Sequence, residues 1–471
     1  MAAMDALFLR FAEIVGANNV LIEPADIAPH LAEPRDLFHG RAAMVLRPGS
    51  TEEVSRILKL ASETGTPIVP QGGNTGLVGG QIPDMSGRAV VVAMGRMNRI
   101  REIDPASATV TAEAGVVLQT LREAADAAGM LFPLSLGAQG SCQIGGNLSS
   151  NAGGTGALVH GSARDLCLGI EVVLPTGEVL EDLRKLKKDN TGYDLKNLFI
   201  GAEGTLGIVT AAVLKLVAKP KGRETAWIGL NSPQAALALF RRAQERAGSA
   251  LTAFELIGER ALDFVLRHRD GAVDPLSARY PWYVLAEISS GRSAEDARTL
   301  MEEILGDGLE AGLTEDAALA QSLAQQGAFW HLREEMSWAQ KPEGASIKHD
   351  ISVPVAAIPD FIEQAAAAVA RVAAGARVVC FGHMGDGNLH YNVSQPVGAA
   401  REDFLALYRQ MNDAVHAVVA AFGGSFSAEH GIGSMKRDEL ARTAPPVALE
   451  LMRRVKTAFD PAGIMNPGKV I

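Results

Sequence analysis

Cysteine, aromatic rings and basic charge are all scarce in this chain, and each shortage removes a class of protein. Three cysteines, Cys142, Cys167 and Cys380, lie far apart among 471 residues and form no CxxC pair. They suggest neither a disulfide framework nor a thiolate metal site, and read as apolar filling in a reducing compartment. Aromatic residues make up 5% of the chain and the formal net charge is -10. That leaves neither the stacking platforms nor the cationic surface that a nucleic-acid partner requires. Long apolar runs are missing too, since no stretch approaches the roughly 20 residues of a membrane span. The first residues place Asp5 and Glu13 around a short apolar stretch, which reads as an amphipathic helix and lacks a signal peptide's basic start. A cytoplasmic protein without a membrane span is the expectation.

Hydrophobic residues, by contrast, are 47% of the chain, enough to bury two large cores. Ser50 and Glu53 have capping-box spacing, with Val54, Ile57, Leu58 and Ala61 at helical intervals behind them. They predict a helix over 51–64 that Gly65 ends. A strand over 66–70 then enters a glycine-rich loop at 71–80. Strands are expected at 89–93 and 108–114, and a helix at 117–128 closed by Gly129. A second glycine-rich tract, 137–161, is too dense in glycine for a packed helix or sheet and precedes strands at 168–174 and 207–218. Composition changes at Lys-Pro-Lys-Gly, 219–222, which marks a domain boundary. Beyond it, alanine-rich helices at 232–247, 294–305 and 355–374 alternate with strands at 225–230, 282–289 and 376–382. That is the pattern of an α+β domain with helices over an antiparallel sheet. A helix at 447–459 and the turn Asn-Pro-Gly-Lys at 466–469 close the chain. The expected division is 1–218, 219–424 and a C-terminal segment 425–471.

The loop at 70–80 is neither a dinucleotide fingerprint nor a phosphate loop of the lysine-bearing kind. Its consecutive glycines nonetheless expose backbone amides that can cradle a pyrophosphate, although a purely structural turn reads equally well. Two such loops, each behind a strand and about 60 residues apart, favour one extended cofactor over a small ligand.

The sharpest chemical signal lies at 377–393. A strand ending at His383, a Gly-Asp-Gly turn and a second strand from Asn388 would put His383, Asn388, His390 and Asn392 on one face of a hairpin. Two histidines can be ordinary hydrogen-bonded residues. Ser-Ala-Glu-His-Gly at 427–431 adds a carboxylate, and Glu429 with His383 and His390 would complete a three-ligand set with an open position, favouring zinc. His430 is then the candidate general base near neutral pH. Arg333 and Ser337, four apart on a predicted helix, and Lys348 in a strand-like run are candidates for binding a substrate carboxylate. Taken singly, each cation reads as a solvated surface charge.

Gly-Gly-Asn-Thr-Gly at 72–76, Gly-Ser-Cys-Gln-Ile-Gly-Gly-Asn at 140–147, Asn-Ala-Gly-Gly at 151–154 and Gly-Ala-Glu-Gly-Thr-Leu-Gly-Ile at 201–208 resemble the FAD-binding elements of the vanillyl-alcohol-oxidase flavoprotein superfamily. With Gly-His-Met-Gly-Asp-Gly-Asn-Leu-His at 382–390, Ser-Ala-Glu-His and the closing Asn-Pro-Gly-Lys, the chain is similar to the FAD-linked D-2-hydroxy-acid dehydrogenases over about residues 40–471. Residues 187–201 look most like the D-2-hydroxyglutarate members.

The resemblance implies an α+β fold: a two-part FAD-binding domain of the vanillyl-alcohol-oxidase type, an α+β substrate (cap) domain with an antiparallel sheet, and a C-terminal helical segment returning to the flavin. It implies cofactor contacts from Pro70, Gly72, Gly73, Asn74, Thr75 and Gly76 in the first loop. The second tract would add Ser135, Gly140, Ser141, Gly145, Gly146, Asn147, Asn151, Gly153 and Gly154, and Glu203, Gly207, Ile208 and Asn466 follow downstream. Residues 70–80 contain no histidine or cysteine, so noncovalent FAD is expected.

Arg333, Lys348 and Asn392, with Ser337 where the family carries threonine, would bind the substrate carboxylate. His383, His390 and Glu429 would hold one divalent metal, and His430 would be catalytic. The implied activity is oxidation of a D-2-hydroxy acid to the 2-oxo acid by hydride transfer to FAD, with D-2-hydroxyglutarate or D-malate ahead of D-lactate or glycolate. An oxygen-using oxidase of the same fold and a metal-dependent hydrolase are the rival readings. An electron-transfer flavoprotein or quinone as acceptor, and a homodimer, are further expectations.

Overall fold

The computed structural model describes the backbone of residues 2–471 and the side chains of residues 7–471; Met1 of the expected N-terminal helix lies outside the described residues, and the helix spans Ala2–Val15. Two compact units divide the chain. One holds the residues through Gly154, His160–Lys219 and Glu429–Ile471, and the other holds Thr155–Val159 and Pro220–Ala428.

Local chemistry sets the first unit's elements. Helix Thr51–Thr64 begins where Ser50 Oγ accepts the Glu53 amide at 3.2 Å and the Glu53 carboxylate accepts the Gly49 amide at 2.7 Å; Gly65, at φ 63, ends it. A four-stranded sheet runs in the order Val20–Leu21, Ala42–Leu46, Ala89–Ala93, Ile68–Gln71, the last two pairings parallel. Ala89–Ala93 is buried at every position, as a strand covered on both faces must be. The second sheet is antiparallel, in the order Ile100–Asp104, Thr109–Glu113, Ile208–Lys215, Cys167–Val173, Val179–Asp182. The second glycine tract departs from expectation by forming two short helices, Ile144–Ser149 and Ala157–His160, and a third, Ala163–Leu166, follows just past it. The last is started by reciprocal capping between Ser162 and Asp165, a signal that the glycine density obscured.

The second unit is built on one eight-stranded sheet. Its order is Asp316–Leu319, Gly222–Leu230, Trp282–Ser290, Leu251–Gly258, Arg377–His383, Asn388–Ser394, Ser346–Ile347, and Asp350–Ser352 also pairs with Asn388–Ser394. Alternation splits the side chains between two cores. Ala226, Ile228 and Leu230 join buried residues of the helices Pro233–Ala247, Ala294–Glu310 and Ile358–Val372. Trp227, Tyr283 and Leu285 pack on the opposite face with helices Glu259–His268 and Leu323–Glu335. Each large side chain buried in this way contributes about 1.5–3 kcal/mol. Strand Leu251–Gly258 was not foreseen: covered on both faces, it shows no alternation to distinguish it from a buried helix segment.

Candidate active site

In the first unit the two glycine tracts meet by backbone. A Cβ on Gly73 would lie 1.9 Å from Ser141 O, so only glycine permits that approach, and one on Gly154, at φ 129, would lie 2.2 Å from Ser135 O. Gly72 lies against Gly146, Pro70 against Gly204, and Gly80 against the Glu203 carboxylate. Around these contacts the amides of residues 73–78 donate to no protein acceptor among the described residues. Gly140 and Gly146 face open space. Such a run of unspent N–H groups is an anion cradle.

Several residues expected to touch a cofactor also hold the cradle in shape through their side chains. Asn74 Nδ2 donates to Pro29 O at 2.9 Å and to Ala32 O at 2.8 Å. Asn151 Oδ1 accepts the Arg164 amide at 2.9 Å and the Ser162 hydroxyl at 2.8 Å. Ser135 Oγ accepts from Arg122 at 3.0 Å. Asn147 and Ile208 are buried, and Gly207 packs against Val173 O. Thr75 and Gly76 complete the open first loop.

Glu203 accepts the amides of Ile432 at 2.7 Å and Gly433 at 2.8 Å, and burial still pushes its carboxyl above the ordinary value. Asn466 Nδ2 ties Gly80 O, at 2.9 Å, to Glu203 O, at 2.8 Å, while its buried Oδ1 has no partner among the described residues. Asn74, Asn151, Glu203 and Asn466 all sit at positive φ, 54, 49, 52 and 45. Non-glycine residues so placed cluster where a ligand demands it.

The second unit carries a different kind of site. His383 stands opposite Asn388 and Phe381 opposite His390 in the hairpin, so His383, Asn388, His390 and Asn392 share a face as alternation predicts. The His383 and His390 rings lie 5.9 Å apart. On the neighbouring strand, Glu255 pairs with His383, accepts its Nδ1–H on Oε1 at 2.8 Å, and accepts Arg333 Nε on Oε2 at 2.9 Å. Arg333 Nη2 lies 2.8 Å from the same oxygen, and its guanidinium stacks 5.0 Å from the Phe381 ring centre. Burial alone would raise the Glu255 carboxyl; His383 and Arg333 outweigh it and hold the group down at about 2. The bond to Glu255 also turns His383 Nε2 away from the carboxylate, the arrangement by which an outer acid orients a ligating imidazole.

Asp350, opposite His390, is buried and accepts Asn388 Nδ2 at 3.0 Å. Asn392 is buried opposite Val379. Ser337 is not on the helix face assigned to it: the helix ends at Glu335, and Ser337 is an exposed turn residue whose carbonyl accepts Lys348 Nζ at 3.1 Å. Lys348 is exposed and sits between two short strands. Ser425 pairs with Ser352, and the Ala428 amide donates to Asp350 O at 3.3 Å. The next residue, Glu429, opens the segment that belongs to the first unit, where its carboxylate lies beside Gly153. His430 Nε2 is 3.9 Å from Glu429 Oε1.

Glu255 and Asp350 were absent from the sequence-based site. The sole carboxylate in Ala-Phe-Glu-Leu-Ile, 253–257, was the available clue to the first; the second lay two residues beyond Lys348.

Known proteins bear on both units. A family described as the C-terminal domain of FAD linked oxidases matches residues 219–470, and an FAD binding domain matches residues 42–182. The mitochondrial D-2-hydroxyglutarate dehydrogenase of Arabidopsis thaliana is 38% identical, covering 98% of this chain and 80% of that protein. A D-2-hydroxyglutarate dehydrogenase of Xanthomonas citri pv. viticola is 35% identical, covering 99% and 97%. The solved structure of p-cresol methylhydroxylase with substrate bound superposes at TM-score 0.76 with 17% identity, over 100% of this chain and 97% of that one. The fold is thus the α+β one of the vanillyl-alcohol-oxidase type.

The residues present fit FAD. Open amides suit a pyrophosphate, and the unpartnered Asn466 Oδ1 suits an N–H donor. The cytoplasmic expectation is corrected: the relatives from Arabidopsis thaliana, Danio rerio and Bos taurus are all named mitochondrial. Free cysteines and an acidic balance do not single out one compartment. Among the described residues no helix is long and apolar enough to cross a membrane.

Proposed function

The chain belongs to the FAD-linked D-2-hydroxy-acid dehydrogenases, and from that membership we propose that it oxidises D-2-hydroxyglutarate, with D-malate as a shorter substrate of the same kind, to the 2-oxo acid. The observation that carries the reading is the buried Arg333–Glu255–His383 chain. It keeps a guanidinium charged and oriented with donors to spare for a carboxylate, and aims an imidazole nitrogen away from its acid partner.

Arg333 and Lys348, with Ser337 and Asn392, bind the carboxylates of the substrate. His383, His390 and Glu429 would hold a divalent ion, zinc being the metal that imidazole ligands favour. Such an ion supplies polarisation of the substrate hydroxyl and adjacent carboxylate. Noncovalent FAD, when bound, supplies the acceptor for the hydride on the substrate's C2. His430 takes the hydroxyl proton as the C–O bond becomes a carbonyl. Electrons then pass to an electron-transfer flavoprotein or a quinone, and the protein works as a homodimer, which light scattering checks.

The test is a screen of D-2-hydroxyglutarate, D-malate, D-lactate and glycolate with a dye acceptor, before and after chelator treatment, with metal content measured alongside. The five-carbon diacid should turn over fastest, and chelation should abolish turnover until metal is restored. Faster turnover of D-lactate or glycolate, or full activity in metal-free protein, would overturn the assignment.

A further inference from the structure

Helix Leu323–Glu335 carries Arg333 near its end, and three of its polar side chains are hooked to the sheet beneath it. Gln326 Nε2 donates to Arg223 O, Trp330 Nε1 donates to Glu287 Oε2, and Arg333 Nε donates to Glu255 Oε2, each at 2.9 Å. The three acceptors lie on strands that are neighbours in the sheet, Gly222–Leu230, Trp282–Ser290 and Leu251–Gly258. Positions 326, 330 and 333 have the i, i+4, i+7 spacing of one helix face. From 326 to 333 a helix rises about 10 Å, and two strand spacings cover about the same distance, so each turn meets the next strand.

The middle contact has no part yet in the reaction. Glu287 is 8% exposed and stands opposite Thr225 on one side and Ala253 on the other. Its Oε1 accepts the Thr252 hydroxyl at 3.2 Å and lies 3.4 Å from Arg223 Nε, which leaves Oε2 to the indole of Trp330. A carboxylate so deep needs donors on both oxygens. Phe329 and Leu332 also hold the helix down, but by apolar packing, which has no preferred direction. The indole N–H is a single donor with a fixed direction. Its bond therefore sets the rotation of the helix about its own axis, and Arg333 follows three residues later on the same face.

We propose that Trp330 and Glu287 are positioning residues, whose hydrogen bond fixes the rotation at which the helix presents Arg333 to the substrate carboxylate. The inference rests on the reading of Arg333 as a carboxylate-binding residue and adds two residues that act through it. That carboxylate keeps its charge while C2 is oxidised, so Arg333 grips the ground state and the transition state alike. Loosening the grip raises KM and leaves kcat in place.

The test measures KM and kcat for D-2-hydroxyglutarate with a dye acceptor, using holoenzyme of the wild type and of Trp330→Phe, Glu287→Leu, Glu287→Gln and Arg333→Met. Trp330→Phe keeps a ring in place and removes the donor; Glu287→Leu removes the acceptor. Both should raise KM about five- to tenfold, the worth of one hydrogen bond to a charged group, with kcat within about twofold of wild type. Glu287→Gln, which keeps an oxygen for the indole, should restore KM to near the wild-type value, a recovery that a lost packing contact does not give. An unchanged KM in Trp330→Phe and Glu287→Leu, a fall in kcat without a rise in KM, or a rise in Glu287→Gln equal to that in Glu287→Leu would overturn the proposal. Arg333→Met separates the two levels. A raised KM there with none in Trp330→Phe or Glu287→Leu defeats the positioning role alone, whereas an unchanged KM in Arg333→Met defeats the reading of Arg333 and this inference with it. Trp330→Phe keeps the comparison decisive should Glu287→Leu fail to fold.

Discussion

In the first unit, the groups poised for a ligand are main-chain amides of residues 73–78, with glycines admitting the close approach of loops at Gly73 and Gly154. In the second, they are side chains: Glu255, Arg333, His383, Asn388, His390 and Asp350, interlocked on one end of an antiparallel sheet. A main-chain cradle suits a cofactor that never changes, because any residue supplies the amide and only bulk can spoil it. A side-chain cluster suits a substrate, because its charge and reach are set residue by residue. The two units should therefore fail differently under mutation.

The sharpest separation should come from His430→Asn. We expect turnover to fall by about 10²–10⁴-fold, the usual contribution of a general base, with the flavin spectrum intact. Near-normal turnover would remove the proton-transfer role. Glu255→Leu should come next. It leaves the Arg333 charge buried without its acid, a loss of about 3–5 kcal/mol in stability, read as a lowered melting temperature. Metal content should fall as well if His383 ligates. A variant that melts like the wild type would show the cluster to be solvated.

Gly73→Ala breaks the other unit by bulk alone. Forcing a methyl against Ser141 O should cost about 1–3 kcal/mol, and so weaken FAD retention by roughly tenfold or more, while metal content stays put. Loss of metal together with FAD would erase the distinction between the units. Ser50→Ala should be the mildest. It removes a helix cap for about 1 kcal/mol of stability and leaves the substrate preference and flavin spectrum of the folded enzyme unchanged.

The same contrast explains what could be read from the sequence. The cradle was legible because glycine spacing and the strands before it are local, as was helix Thr51–Thr64, whose Ser50, Glu53 and Gly65 signals lie within one segment. The hairpin register of His383 against Asn388 was legible because a short turn fixes it. Glu255 was not, because it meets His383 through a pairing of strands 128 residues apart, and no local pattern encodes that register. Asp350 was lost for the same reason, opposite His390 on a three-residue strand. The helical placement expected of Ser337 failed at a helix end, where the chain turns after Glu335 instead of completing another turn of helix.

The most direct test of the division of labour is anaerobic addition of D-2-hydroxyglutarate to purified holoenzyme while the visible flavin absorbance is followed. The account predicts bleaching within the turnover time and formation of one 2-oxo acid per flavin. A folded protein with no flavin band, or a flavin that stays oxidised in excess D-2-hydroxyglutarate with metal present, would contradict it.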